Sequence, residues 1–259
     1  MSKLIASMTA DATAASAVSQ RSRFFLVMAI VLFVPVAIGF GPTFFLRPWS
    51  GARDPLGGPF PLHLIIHGSV LSAWYLLFIV QTTLVAAHRV DLHRRLGVIG
   101  VGLAAAVVVA SFITVARFVP RATTEALPAE AVAAVVLGDT AGLVVFAVFV
   151  AGGVYLRRTA AAHKRLMFLA ATTIVGPAFS TARPVGRALE HWLPGPLGMA
   201  SGLVFTIACI VTLVVYDVVT RKRVHPATLF GIAIPIVPIA AGIVAFSTNL
   251  GTAFVEWLR

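Results

Sequence analysis

Five side chains able to donate, accept or ligate recur within one apolar stretch: His63, His67, Trp74, Gln81 and His88. Positions 67, 74, 81 and 88 are seven apart, and 63 stands one turn before 67. A spacing of seven drifts by about 20° on a helix, so a helix here aligns all five along one face. Turned toward lipid, imidazole, indole and amide groups would lose their hydrogen bonds at high cost. The stripe is therefore expected to face neighbouring helices. There it is either interhelical glue, worth roughly 0.6–2 kcal/mol per bond, or the polar wall of a site. His63 and His67, at i and i+4, also have the spacing of two metal ligands on one helix face. Residues 64–66 read Leu-Ile-Ile, so the glutamate of an HExxH motif is missing and Asp139 would have to supply a third ligand.

Asp139 lies within another apolar run. An ionisable residue inside a span is a functional-site hypothesis with its partner named, and the partner expected here is Arg117 or His67. Thr173, Gly176, Ser180, Arg183 and Arg187 step by three or four and share a face up to any break at Pro184. The sequence thus points to a polar cluster of His63, His67, Trp74, Gln81, Arg117, Asp139 and Arg183. Its chemistry is proton exchange with a bound molecule, or an ion pair that stitches two helices.

Three further segments place histidine beside basic residues where apolar runs begin: His93-Arg94-Arg95-Leu96-Gly97, His163-Lys164-Arg165-Leu166-Met167 and Val224-His225-Pro226. Arg and Lys in such loops anchor helices against anionic lipid heads. Alternatively, two of His88, His93 and His163 ligate a haem iron axially, with Arg94, Arg95, Lys164 or Arg165 pairing with the propionates. These three segments resemble motifs of uncharacterised bacterial multi-span inner-membrane proteins, and the resemblance implies that location but no particular activity. Histidines flanking apolar helices also make the chain distantly similar to cytochrome b561-like proteins, which implies a helical haem-b electron carrier.

The elements that must position these groups follow from composition. Of the 259 residues, 59% are hydrophobic and only 11% charged, against roughly 25% charged in soluble domains. Mean hydropathy is +0.97. Too little polar surface remains to cover a water-soluble globule, so lipid is the expected solvent. Apolar runs long enough to cross a bilayer are expected over 24–46, 62–87, 96–119, 131–156, 165–182, 199–220 and 227–249. The expected fold is an all-α bundle of seven transmembrane helices in one domain, 24–259, behind a polar tail, 1–23, that is disordered or interfacial. Residues Thr252–Arg259 are expected to lie at the outer interface.

The tail and the second, fourth and sixth loops carry the larger share of Lys and Arg. The positive-inside rule then puts the N-terminus in the cytoplasm and the C-terminus outside. The net charge of +11 sits in those loops, which argues against nucleic acid as a partner. Cys209 is the single cysteine, so neither an internal disulfide nor a cysteine-based cluster can form. Helix breakers stand inside several runs: Pro35 and Gly41-Pro42, Gly176-Pro177, and Pro235 with Pro238. Gly97, Gly100 and Gly102 are expected to permit close helix packing. Asp217 is expected to neutralise Arg221 or another basic loop residue.

The leading expectation is a haem-b redox protein or quinone-linked electron carrier. The alternatives are a small-molecule or proton-coupled transporter, and a non-catalytic accessory subunit with a membrane protein partner.

Overall fold

A computed structural model of the chain describes residues 23–51, 59–124, 128–180, 183–193, 201–248 and 250–257. The expected tail lies outside the described residues except for Arg23, which is already helical. Every regular element among the described residues is a helix. Those of eight residues or more are α1 Arg23–Phe45, α2 Leu62–Ala86, α3 Val90–Thr124, α4 Ala129–Tyr155, α5 Ala160–Thr173, α6 Pro184–Trp192, α7 Ser201–Arg221, α8 Pro226–Ala233, α9 Ile236–Ser247 and α10 Leu250–Trp257.

Five of these, α1, α2, α3, α4 and α7, are long and apolar enough to cross a membrane. The other two expected spans are interrupted. The run over 165–182 becomes the 14-residue α5, a break, and a 3-10 turn at Gly176–Phe179. The run over 227–249 becomes α8 and α9 on either side of Pro235. Proline has no backbone N–H to donate and clashes with the carbonyl one turn back, so both interruptions fall where the sequence carries it. The last turn of α1 widens into a π-turn at Gly41–Phe45 around Pro42 for the same reason.

The bundle hides one face of each long helix and shows an apolar face outward. On α1, Phe25, Met28, Ala29, Leu32 and Val36 are buried while Val27, Ile30, Val34 and Ile38 are exposed. An exposed apolar face of this length is at home only against acyl chains. The turns 87–89, 156–159 and 222–225 gather at one end with exposed Arg89, Arg94, Arg95, Arg157, Arg158 and Arg221. We call this the basic end. Trp49 and Trp192 are exposed at the other, in the manner of interfacial aromatic anchors.

Helix α5 sits at the centre and is buried on nearly every side, Ala162, Arg165, Leu166 and Phe168–Thr172 included. Glycines let its neighbours approach. A Cβ on Gly153 of α4 would lie 2.8 Å from Met167 Sδ, and one on Gly231 of α8 would lie 2.3 Å from Leu169 Cδ1. At the 3-10 turn, a Cβ on Gly39 of α1 would lie 2.6 Å from the Ala178 carbonyl oxygen. Association of helices in lipid relies on such close van der Waals contact, because burying apolar surface gains nothing against lipid tails. The glycines singled out on α3 contribute less: Gly100 meets Leu77, Gly97 stands near Gln81, and Gly102 faces open space. At the C-terminus, α10 packs along α4, with Gly251 against Leu137 and Ala133.

Candidate functional site

Helix α2 turns most of its polar stripe toward α3 and α4. Trp74 is 3% exposed, and its ring meets Phe146 of α4 edge-on at 5.1 Å. His67 Nδ1 stands 3.4 Å from Ser111 Oγ of α3. Gln81 and His63 are half-buried, and Gln81 Nε2 lies near Gly97 of α3. Beside the stripe, the Tyr75 hydroxyl donates to the Ala171 carbonyl at 2.9 Å, tying α2 to α5. His88 leaves the line. Helix α2 ends at Ala86, and the chain must reverse before Val90. His88 makes that reversal in the left-handed region, φ 60°, and is exposed.

The half of the bundle away from the basic end contains a cavity of ≈ 1640 Å³. Its walls come from α1, α2, α3, α4, α5, α7, α8 and α9 and are mainly aliphatic and aromatic. His67, Ser72, Tyr75, Ser111, Thr114, Asp139, Thr172, Thr173, Ser180 and Thr206 interrupt that lining. No Lys or Arg is among the described residues that line it. The helix interruptions converge on the same space: Gly176 and Pro177 of the 3-10 turn, Pro235 between α8 and α9, and Pro238 in α9 all reach it. So do Phe44 and Phe45 of the π-turn.

Two of the expected cluster residues, His67 and Asp139, therefore share one chamber. The other expected members stand elsewhere. Arg117 is exposed on α3, and the ion pairs found among the described residues are Arg89–Asp91 and Arg165–Asp217, neither involving Asp139. Arg183 lies with its guanidinium 4.0 Å from the centre of the Phe40 ring and donates to Thr43 Oγ1. It clamps the end of α1, whose Phe40 lines the cavity. No group of three His, Cys, Asp or Glu side chains placed to hold a metal occurs among the described residues. His63 and His67 thus have no third ligand of those types there.

At the basic end a second polar assembly is closed and saturated. Arg165 of α5 is 1% exposed and Asp217 of α7 0%. Arg165 Nε donates to Asp217 Oδ1 at 2.9 Å, and its terminal nitrogens donate to the same oxygen and to the Ala161 carbonyl. Asp217 Oδ2 accepts from Thr228 Oγ1 at 2.6 Å and from the His225 backbone N–H at 3.0 Å. The His225 ring in turn caps α8, its Nδ1 accepting from the Ala227 N–H at 3.0 Å. Burial, together with the cations Arg165 and Arg221, pulls the His225 imidazole below its ordinary range. Lys164 lies over the Phe25 ring at 4.8 Å and donates to the Tyr216 hydroxyl. The partner of Asp217 is thus Arg165, one of the basic residues at the start of the 165–182 run. The signal was present: a base at the start of one run and an acid one turn inside the end of the next, at the same end of the bundle and too costly to bury separately.

The expected haem ligands are dispersed in part. His93 of α3 and His163 of α5 come together, ring centres 6.0 Å apart and planes at 80°. His163 Nδ1 donates to the Gly153 carbonyl at 2.8 Å. Arg94 and Arg95 are exposed, while Arg165 is held by Asp217. In comparisons with protein-family models, curated proteins and solved structures, nothing matches this chain.

Proposed function

We propose that this integral membrane protein is a proton-coupled transporter of a small, largely apolar molecule. In this reading α5 with its 3-10 turn, and α8 with α9, are the fifth and seventh crossings of a seven-span bundle. The basic end faces the cytoplasm, in keeping with the positive-inside rule.

One observation carries the proposal: the broken helices meet at one chamber that also holds His67 and Asp139. Discontinuous helices near a central chamber expose backbone groups to a substrate, and the breaks allow one part of a bundle to rock against another. The volume exceeds the about 300–1,000 Å³ of common ligand pockets, so a ligand shares the space with water or lipid. Asp139 supplies a proton-exchanging carboxyl and His67 a proton-exchanging imidazole, while Ser111 orients the His67 ring. With a carboxyl and no Lys or Arg among the described residues on the wall, a lipophilic cation is the favoured class.

Uptake of tetraphenylphosphonium into proteoliposomes under an imposed pH gradient tests this. Wild-type protein should accumulate the cation as protons move the other way, and Asp139→Asn should abolish that dependence on the gradient. Equal uptake by wild type and Asp139→Asn, or none by folded wild type, would sink the reading.

A further inference from the structure

Two imidazoles at the basic end are arranged as ligands and not as structural glue. His163 uses Nδ1 to donate to the Gly153 carbonyl, so the proton is on Nδ1 and the lone pair is on Nε2. On His93 the unpartnered atom is Nδ1, which is buried with no hydrogen bond. The His163 ring is fixed by a carbonyl behind one nitrogen and leaves the opposite nitrogen bare, and the His93 ring leaves Nδ1 bare. A carbonyl behind the ring is the usual way a metal-binding histidine is oriented and made more basic. The bare lone pairs belong to rings whose centres are 6.0 Å apart.

A third group stands on the same side. Gln81 reaches α3 near Gly97, one turn beyond His93, and its Oε1 is buried with no partner. An acceptor left unsatisfied in a bundle interior is costly. Helices α2, α3 and α5 thus bring two imidazole nitrogens and one amide oxygen to the same end of the bundle, each without a protein partner.

We propose that His93 and His163, with the Gln81 amide oxygen as third ligand, bind a first-row transition-metal ion. Imidazole suits zinc, copper, iron and nickel, and a three-ligand set leaves a coordination position open. The site stands apart from the cavity of His67 and Asp139, and it does not depend on the transporter reading.

Cobalt(II) is the probe. Tag-free, full-length protein in detergent, titrated with cobalt(II), should develop visible ligand-field bands and retain one ion per chain after desalting. His93→Ala and His163→Ala should each abolish the bands. Gln81→Leu should weaken binding about 10–100-fold, and His191→Ala at the far end should leave it unchanged. X-ray absorption of the wild-type cobalt form reads imidazole ligands directly, which keeps the test decisive if a histidine variant does not fold. Overturning results are bands that survive the histidine substitutions, fewer than two imidazoles in the absorption spectrum, or folded wild type that takes up no cobalt. A haem absorption band in the purified protein that disappears in His163→Ala would also overturn it, by giving the pair to a porphyrin.

Discussion

The two ends of the bundle treat a carboxylate within an apolar helix in opposite ways. At the basic end Asp217 is enclosed and its oxygens accept from Arg165, Thr228 and the His225 backbone. Across the bundle Asp139 opens onto a large, mainly apolar chamber and is in neither ion pair found among the described residues. A saturated charge pair in a bundle interior fixes which helices meet. A carboxylate facing space has its bonding capacity left for something that enters. The contrast separates a carboxylate tied into the fold from one that opens onto a cavity, although both are aspartates within apolar helices.

The sharpest way to break this contrast is Asp217→Ala. It strands Arg165 in the interior and should cost about 3–5 kcal/mol, seen as a large drop in the melting temperature of detergent-solubilised protein. The pair replacement Arg165→Met with Asp217→Leu should recover most of that loss. A single variant that melts like wild type would show the pair to be ornamental.

Next comes packing. Gly39→Ala places a methyl 2.6 Å from the Ala178 carbonyl oxygen, where backbone must yield, and should cost about 1–3 kcal/mol. Gly138→Ala projects into open space beside the cavity and should change stability by no more than about 0.5 kcal/mol. Comparable melting temperatures for the two would contradict the packing described around α5.

Smaller still is the effect expected at the chamber. Asp139→Asn and His67→Gln should each leave stability within about 1 kcal/mol of wild type while removing gradient-driven uptake. Strong destabilisation by either would move it into the class of Asp217.

The slightest effect is in pH dependence. Folding favours neutral His225, so its contribution is complete above the ordinary imidazole value of about 6.5 and fades as the pH falls below it. His225→Asn keeps an acceptor for the Ala227 N–H and cannot titrate there. Its melting temperature should fall less steeply than that of wild type between about pH 6.5 and 5. Parallel curves would remove His225 from the pH response.

Much of this arrangement could be read from residue types. The apolar runs name the five long helices, and the seven-residue spacing from His67 to Gln81 puts that edge of α2 against its neighbours. His67 is one of the two partners that the sequence offers Asp139, and the two share a chamber. The failures are local or long-range. Extending the stripe to His88 assumed that the helix ran on, whereas the chain turns back after Ala86. Pairing Asp139 with Arg117 needed the rotation of α3 about its own axis, which depends on packing that no spacing rule contains. The partner of Asp217 was left open among basic loop residues because helix order around the bundle is not written in any one helix. The breaks at Gly176-Pro177 and Pro235 were visible as residues, but their convergence on one space depends on how α5, α8 and α9 stack.

Helix α5 has a consequence for biogenesis. Its 14 residues reach about 21 Å, short of the ≈ 30 Å hydrocarbon layer, and it carries a guanidinium whose counter-ion lies 52 residues downstream. At a synthesis rate of about 5–20 residues per second, that carboxylate follows roughly 3–10 s later. The segment has little reason to partition into lipid by itself in that interval. Its entry waits for the nascent chain to deliver α7, so the middle of the molecule is built from the outside inward.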